Sequence, residues 1–508
     1  MQDFRISKKI SGVSVCVSAL KTQQSPFWGD FLALLTLGEW TSKCNLQIIQ
    51  IRPVFDTGKN SDSCALVSAF ALNPIYIRIT ALLREEGFQP QNIPAYVLLE
   101  KTLQCSQRSY ADIRREKLNF LHNFFHENIT EYPALTIWIQ KNPWIIGYCA
   151  FCVLKDEHND SSWKEWGNMA CPSEEILLDF WKNRKKDCLF YAWLQYHLAK
   201  QFSQTAQTLT QMGIILKGEI PVEIAKESAD VWGNRHLFSL HKENKTAGSL
   251  RVPYHWQHHR QEDFKWWKMR LANLEKYFEL IQLDQIPCVD DRPNQSWPSF
   301  FKRPHEKHAY KANMCDDTHP LFHLIAKHTN LGICLGVFSY DSYLPDTLSR
   351  LRILPFKSPL YAVSQKKTIQ KSDMPSHYPL LSVAALSTLD SPTLHQWWQE
   401  TQDKSKFLKT LGLPEELSSE SYNAETALAV LHAFITEANS CLVILQIQDY
   451  LSLCEQYREQ NLPPHNKRQF CKSSYSDSDQ APQMKPALEE LLTDRRFIFL
   501  VKVVNTPF

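Results

Sequence analysis

Asp284 closes a short apolar run, Leu280-Ile-Gln-Leu-Asp284, and Asp390 follows another, Leu380–Ala385. A carboxylate at the end of a buried strand can serve as nucleophile or as acid/base, but an isolated one reads equally as an Asp that merely ends the strand. The other reactive pattern is Cys149-x-x-Cys152, inside the apolar run Ile145–Leu154. With no second Cys or His pair at zinc spacing, two packed thiols fit it better than a redox or metal site. No G-x-G-x-x-G, P-loop, H-E-x-x-H or G-x-S-x-G occurs, so nucleotide, zinc-protease and serine-hydrolase chemistries lack their residues. No metal and no cofactor is implied.

The elements that would position such carboxylates recur along the chain. Buried-strand candidates are Val13–Val17, Leu46–Ile51, Ile214–Lys217, Leu280–Asp284, Gly332–Val337, Leu360–Val363, Leu380–Ala385 and Cys441–Leu445. Helical periodicity lies between several of them, clearest in Phe264, Trp267, Leu271, Leu274 and Phe278, spaced three and four apart on one face. Eight buried strands with helical connections predict an α/β fold, a (β/α)8 TIM barrel, with a doubly wound sheet as the other arrangement. One domain, 1–508, is expected. The stretch 56–212 is too long for a single crossover and is expected to hold an inserted helical subdomain. The polar stretch His465–Pro486 reads as a surface loop.

The chain is long enough to bury an extensive core, with 44% hydrophobic residues in 508. Lys plus Arg (56) and Asp plus Glu (54) nearly cancel, which leaves no basic stripe for nucleic acid and favours a neutral partner. The apolar stretch Ile10–Leu20 is broken by Gly12, Ser14 and Ser18 and lacks an A-x-A site, so it reads as a first core strand rather than a signal peptide. No segment reaches the roughly 18 uncharged apolar residues of a membrane span. The expectation is a cytoplasmic protein with free thiols.

Several phrases resemble the amylomaltase family of 4-alpha-glucanotransferases, the disproportionating enzymes of glycoside hydrolase family 77. Asn45–Asp56 resembles its second barrel strand, and Ser68–Tyr76 the segment that follows. Lys217-Gly-Glu-Ile-Pro-Val-Glu-Ile-Ala-Lys-Glu-Ser-Ala-Asp-Val-Trp232 is similar to the family's Gly-Asp-Leu/Ile-Pro-Ile and Ser-Ala-Asp-Val-Trp, with Glu219 in place of Asp. Pro253–Trp256, the Trp266-Trp267-Arg270 helix, Leu381–Leu394 and Gln446–Asp449 resemble later segments in the same order.

The resemblance implies a barrel enzyme that moves α-1,4-glucan segments between malto-oligosaccharides or glycogen-type glucans, with no nucleic-acid or membrane partner. It places the nucleophile at Asp284, within Gln282-Leu-Asp-Gln285 where the family reads Arg-Ile-Asp-His, and the transition-state-stabilising carboxylate at Asp390. Asp56, Glu219, Asp230, Trp232 and Trp256 are the implied substrate-binding residues. A retaining transfer needs a second carboxyl about 5 to 5.5 Å from the nucleophile. The family's Glu-Asp-Leu-Gly falls on Asn330–Gly336, which puts Ile333, or alternatively Thr329, at the acid/base position. Gln282, Gln285 and Leu389 likewise replace an arginine and two histidines. Two functions follow: a working glucanotransferase, or a degenerate relative that binds glucan or a protein partner without turnover.

Overall fold

The computed structural model describes residues 9–25, 28–62, 65–104, 109–240, 244–246, 249–284, 320–336, 348–365, 369–388, 391–458 and 484–506. Eight strands make a closed barrel: β1 (Ile10–Val15), β2 (Ile48–Ile51), β3 (Ile215–Pro221), β4 (Leu280–Asp284), β5 (Gly332–Leu335), β6 (Leu354–Lys357), β7 (Val383–Ala384) and β8 (Leu442–Gln446). Each is parallel to its neighbours in sequence, and β8 closes on β1 through the register Ile10↔Leu442 to Ser14↔Gln446. Helices connect the strands, and the architecture is the expected (β/α)8 barrel.

One strand differs from the sequence reading. Leu360–Val363, whose apolar run predicts a strand, lies in the helix Pro359–Gln365; the sixth strand is the preceding Leu354–Lys357. Pro at the first helical position favours the helix, while Pro355 inside Leu-Pro-Phe-Lys makes the true strand hard to see.

Side chains alternate between the barrel interior and the layer beneath the helices. Ile10, Ile48, Ile215, Leu280, Cys334, Phe356, Val383 and Leu442 pack together inside. Ile49, Leu216, Ile281, Leu283, Ile333 and Val443 belong to the outer core. The interior changes character along the strands. Ile48 is followed at the same parity by Gln50, Ile215 by Lys217 and Glu219, Leu280 by Gln282 and Asp284, and Ile444 by Gln446. The amino end is thus plugged with apolar groups and the carboxyl end is lined with polar ones.

Among the described residues of 56–212, seven α-helices stand between β2 and β3, the longest being Lys185–Gln211. Cys149 and Cys152 sit on one of them, Trp144–Glu157, with thiols pushed well up by burial, as packed groups rather than reactive ones. No helix among the described residues is long and apolar enough to cross a membrane.

Candidate active site at the carboxyl end of the barrel

Asp284 is the last residue of β4, half-buried and inward-facing. Gln282, two residues earlier on the same face, donates from Nε2 to Asp284 Oδ1 at 3.1 Å. The carboxylate lies over Gly336, just past β5, where a Cβ would come within 2.0 Å of Oδ1. Glycine at 336 is therefore required for this rotamer of Asp284.

A neighbouring polar set lies on β2 and β3. Lys217 is fully buried. Its Nζ donates at 2.6 Å to Gln50 Oε1 and at 2.6 Å to Gln282 Oε1. Gln50 Nε2 in turn donates to Glu219 Oε1. Burial pushes the Lys217 ammonium down, opposed by the Cys334 thiol and by the carboxylates of Glu219 and Asp284. Lys217 and Gln50 were not among the expected site residues. The signal was there: both are polar interruptions of apolar strands at the parity that faces inward.

The remaining expected residues divide sharply. Glu219 is in the interior, in register with Gln282. Asp56, expected to touch sugar, is 1% exposed and its carboxylate is taken up by Arg114 Nη2 (3.0 Å), Tyr148 OH (2.7 Å) and the Gly58 amide (3.0 Å). Asp230 accepts from the Ala69 amide at 2.7 Å and from Trp266 Nε1 at 3.2 Å, and burial raises its pKa to about 6. Trp232 and Trp256 are core residues, not sugar platforms. Trp232 packs against Phe151 and Trp166 and donates to Met169 O at 2.8 Å, while Trp256 packs against Tyr254 and Trp267. These four corrections share one cause: the phrases shape the turns above β2 and β3, and their side chains are consumed in doing so. Arg270 does the same, donating to Pro221 O at 2.6 Å and Val222 O at 3.3 Å.

On β5, Ile333 points into the outer core and cannot occupy an acid/base position; the inward residue in register with Gln282 is Cys334. Thr329 precedes the strand, at its amino end, with its hydroxyl on Glu275. Gln285, Leu389 and Asp390 lie outside the described residues, as do Asp316, Asp317 and Asp341. On β8, Gln446 Nε2 donates to Ser387 Oγ at 2.6 Å and to Thr388 O at 2.8 Å. Asp449, also buried, accepts from the Leu394 amide at 2.9 Å, and burial pushes its carboxyl up to about 7.

One group among the described residues has metal-like spacing: His122 and His126, a helical turn apart, with Asp187. Asp187 is already ion-paired with Arg184 at 3.0 Å, and the positive charge of Lys186 bears on His126. Two cations thus oppose a third there.

A closed parallel barrel whose carboxyl end carries an oriented carboxylate defines the class: a (β/α)8 protein with the site where barrel enzymes place theirs. The profile of the 4-alpha-glucanotransferases, glycoside hydrolase family 77, matches residues 15–474, and the chain belongs to that family. It is 28% identical over 498 residues to the 4-alpha-glucanotransferase of Chlamydia muridarum, covering 94% of this chain and 92% of that one. The enzyme of Chlamydia trachomatis serovar D is 26% identical over 512 residues, covering 97% and 94%. Among solved structures, an amylomaltase from Streptococcus agalactiae in complex with acarbose superimposes with a TM-score of 0.73 at 20% identity, covering 98% of both chains. The amylomaltase of Corynebacterium glutamicum gives 0.67 at 14% identity, covering 98% of this chain and 75% of that one.

Proposed function

We propose that the chain is a cytoplasmic glucanotransferase that passes α-1,4-linked segments between malto-oligosaccharides or glycogen-type glucans by a retaining double displacement. Asp284 attacks the anomeric carbon as the C1–O4 bond breaks, and the departing sugar oxygen takes a proton from water. The 4-hydroxyl of an acceptor then displaces Asp284, giving up its own proton to water, and the α-linkage is restored. Asp390 is the proposed stabiliser of the cationic transition state, and Glu219 the carboxylate nearest the bound ring on β3.

The observation that carries this reading is the placement of Asp284, half-exposed at the carboxyl end of β4 and oriented by Gln282. Family membership supplies the substrate class. Incubation with maltotriose followed by chromatography tests it: glucose together with chains longer than maltotriose is the expected result. Unchanged maltotriose with retained glucan binding would instead identify a binding protein that has lost turnover.

A further inference from the structure

Five side chains inside the barrel form one hydrogen-bonded chain across three strands: Glu219, Gln50, Lys217, Gln282 and Asp284. Its polarity is set by chemistry. An ammonium has three donors and no acceptor, so both glutamines must turn their oxygens to Lys217 Nζ. Each amide NH2 is then left pointing outward, one to Glu219 and the other to Asp284. The chain therefore reads carboxylate, amide, ammonium, amide, carboxylate, with the cation at its centre.

A fully buried lysine is an expensive group unless it is compensated, because the effective desolvation penalty is several kcal/mol per ion. As a purely structural device it gains nothing over a methionine of similar shape, which would fill the same space without a charge. Lys217 is itself 0% exposed and sits lower in the barrel than Asp284, in register with Leu280. What it does have is a direct hydrogen bond to Gln282, whose amide in turn donates to Asp284. The family resemblance puts an arginine at position 282. Here the neutral Gln282 stands in that place, and a cation arrives one strand over.

We infer that Lys217 is a positioning residue for glycosyl transfer, holding the Asp284 carboxylate in its attacking orientation and charge state through Gln282. The inference rests on Asp284 being the nucleophile proposed above. Gln282 is polarised by the ammonium on its carbonyl side, which strengthens the N–H it offers to Asp284. The positive charge in turn favours the ionised carboxylate over the protonated one. As Asp284 is consumed in the glycosyl ester, its charge is lost, so the network also favours departure of Asp284 in the second displacement.

The test isolates the nucleophile from any acid catalyst. An α-maltosyl fluoride with a second fluorine at C5 of the fluoride-bearing ring forms a long-lived ester: the Asp284 oxygen bonds to C1 while the C1–F bond breaks and fluoride leaves with the electron pair. Intact-mass spectrometry, followed by peptide mapping, gives the labelling rate at Asp284 as a function of pH. Lys217→Met should slow labelling at neutral pH by about 10-fold or more, and should move the acidic limb up by roughly one pH unit. Adding Gln282→Arg to Lys217→Met returns a cation to the neighbouring strand and should bring both rate and limb back. Thermal melts of all three proteins report the fold separately.

Labelling of Lys217→Met at the natural rate with an unmoved limb would overturn the inference. So would uniform slowing at every pH accompanied by a matching loss of melting temperature, the mark of a structural role alone, or a folded double variant that recovers nothing. A natural protein that folds but is never labelled at Asp284 would overturn the nucleophile assignment itself, a result distinct from the other three.

Discussion

Arg114, on the helix Tyr110–Asn128, grips Asp56 in an ion pair of 3.0 Å with both side chains largely removed from water. This contact ties the helix Tyr110–Asn128 to the loop beyond β2. Breaking one side of a buried pair leaves a charge without compensation, at a cost of about 3 to 5 kcal/mol. Arg114→Met should therefore lower stability in urea unfolding by that order. The double variant with Asp56→Asn should recover part of the loss, because the stranded charge is gone. A single-variant loss below about 1 kcal/mol would show that the pair does not anchor this helix to the loop beyond β2.

Asp284→Asn should abolish both glucan transfer and labelling by the fluorinated maltosyl fluoride. The amide is nearly isosteric and can still pair with Gln282, so the fold and glucan binding should survive. Transfer that persists in this variant would move the nucleophile to another residue.

Gly336→Ala puts a methyl group where Asp284 Oδ1 now lies, 2.0 Å from the new Cβ. The carboxylate must swing away, which breaks its bond from Gln282. We expect kcat to fall by roughly 10² or more, since misplacement by about 1 Å has that effect, with KM and melting temperature little changed. Normal kcat would mean that Asp284 works from a different rotamer.

How much of this was legible in the sequence depends on which question is asked of a residue. Apolar runs located seven of the eight strands, because a strand buried on both faces shows as a continuous hydrophobic stretch. The sixth was missed because Pro355 interrupts a four-residue strand, and a stronger apolar run begins the following helix. For the site, Asp284 was legible because a strand end and a family phrase coincide. Trp232, Trp256, Asp56 and Asp230 belong to equally recognisable phrases, yet the structure seals them away. Residue type gives no direction; direction comes from packing. Lys217 and Gln50 went unread for the opposite reason. A polar residue within an apolar strand suggests a register error until its neighbours on the next strands prove polar at the same level.

Asp449 should make stability fall as pH rises. Burial lifts its carboxyl to about 7, whereas in the unfolded chain it titrates near the ordinary value of about 3.9. Between those limits the folded state binds the extra proton, so the folded state is favoured below about pH 4. That advantage is lost as pH rises through about 7, by roughly 4 kcal/mol at most. Asp449→Asn keeps an oxygen for the Leu394 amide and cannot ionise. Its urea midpoint should therefore stay nearly level across this window while the natural protein's declines. Parallel declines in both would assign the pH dependence to other groups.

The last expectation concerns the leaving group. Ile333 faces the outer core, Thr329 lies at the wrong end of β5, and the inward residue of that strand, Cys334, has a thiol pushed up to about 11 by burial. None of these can protonate a departing sugar as a carboxylic acid does. Losing general acid catalysis costs about 10² to 10⁴-fold, but only for substrates whose leaving oxygen needs the proton. Maltotriose is such a substrate; α-maltosyl fluoride is not, because fluoride departs as an anion. The protein should therefore consume α-maltosyl fluoride faster than maltotriose by about 10² to 10⁴-fold, with both reactions lost in Asp284→Asn. Azide, a small anionic nucleophile that needs no base, should accelerate the second displacement and yield a glycosyl azide of retained α-configuration. Equal rates for the two substrates would show that an acid/base carboxylate does reach the site, and peptide-level variants of Asp316, Asp317 and Asp341 would then identify which one.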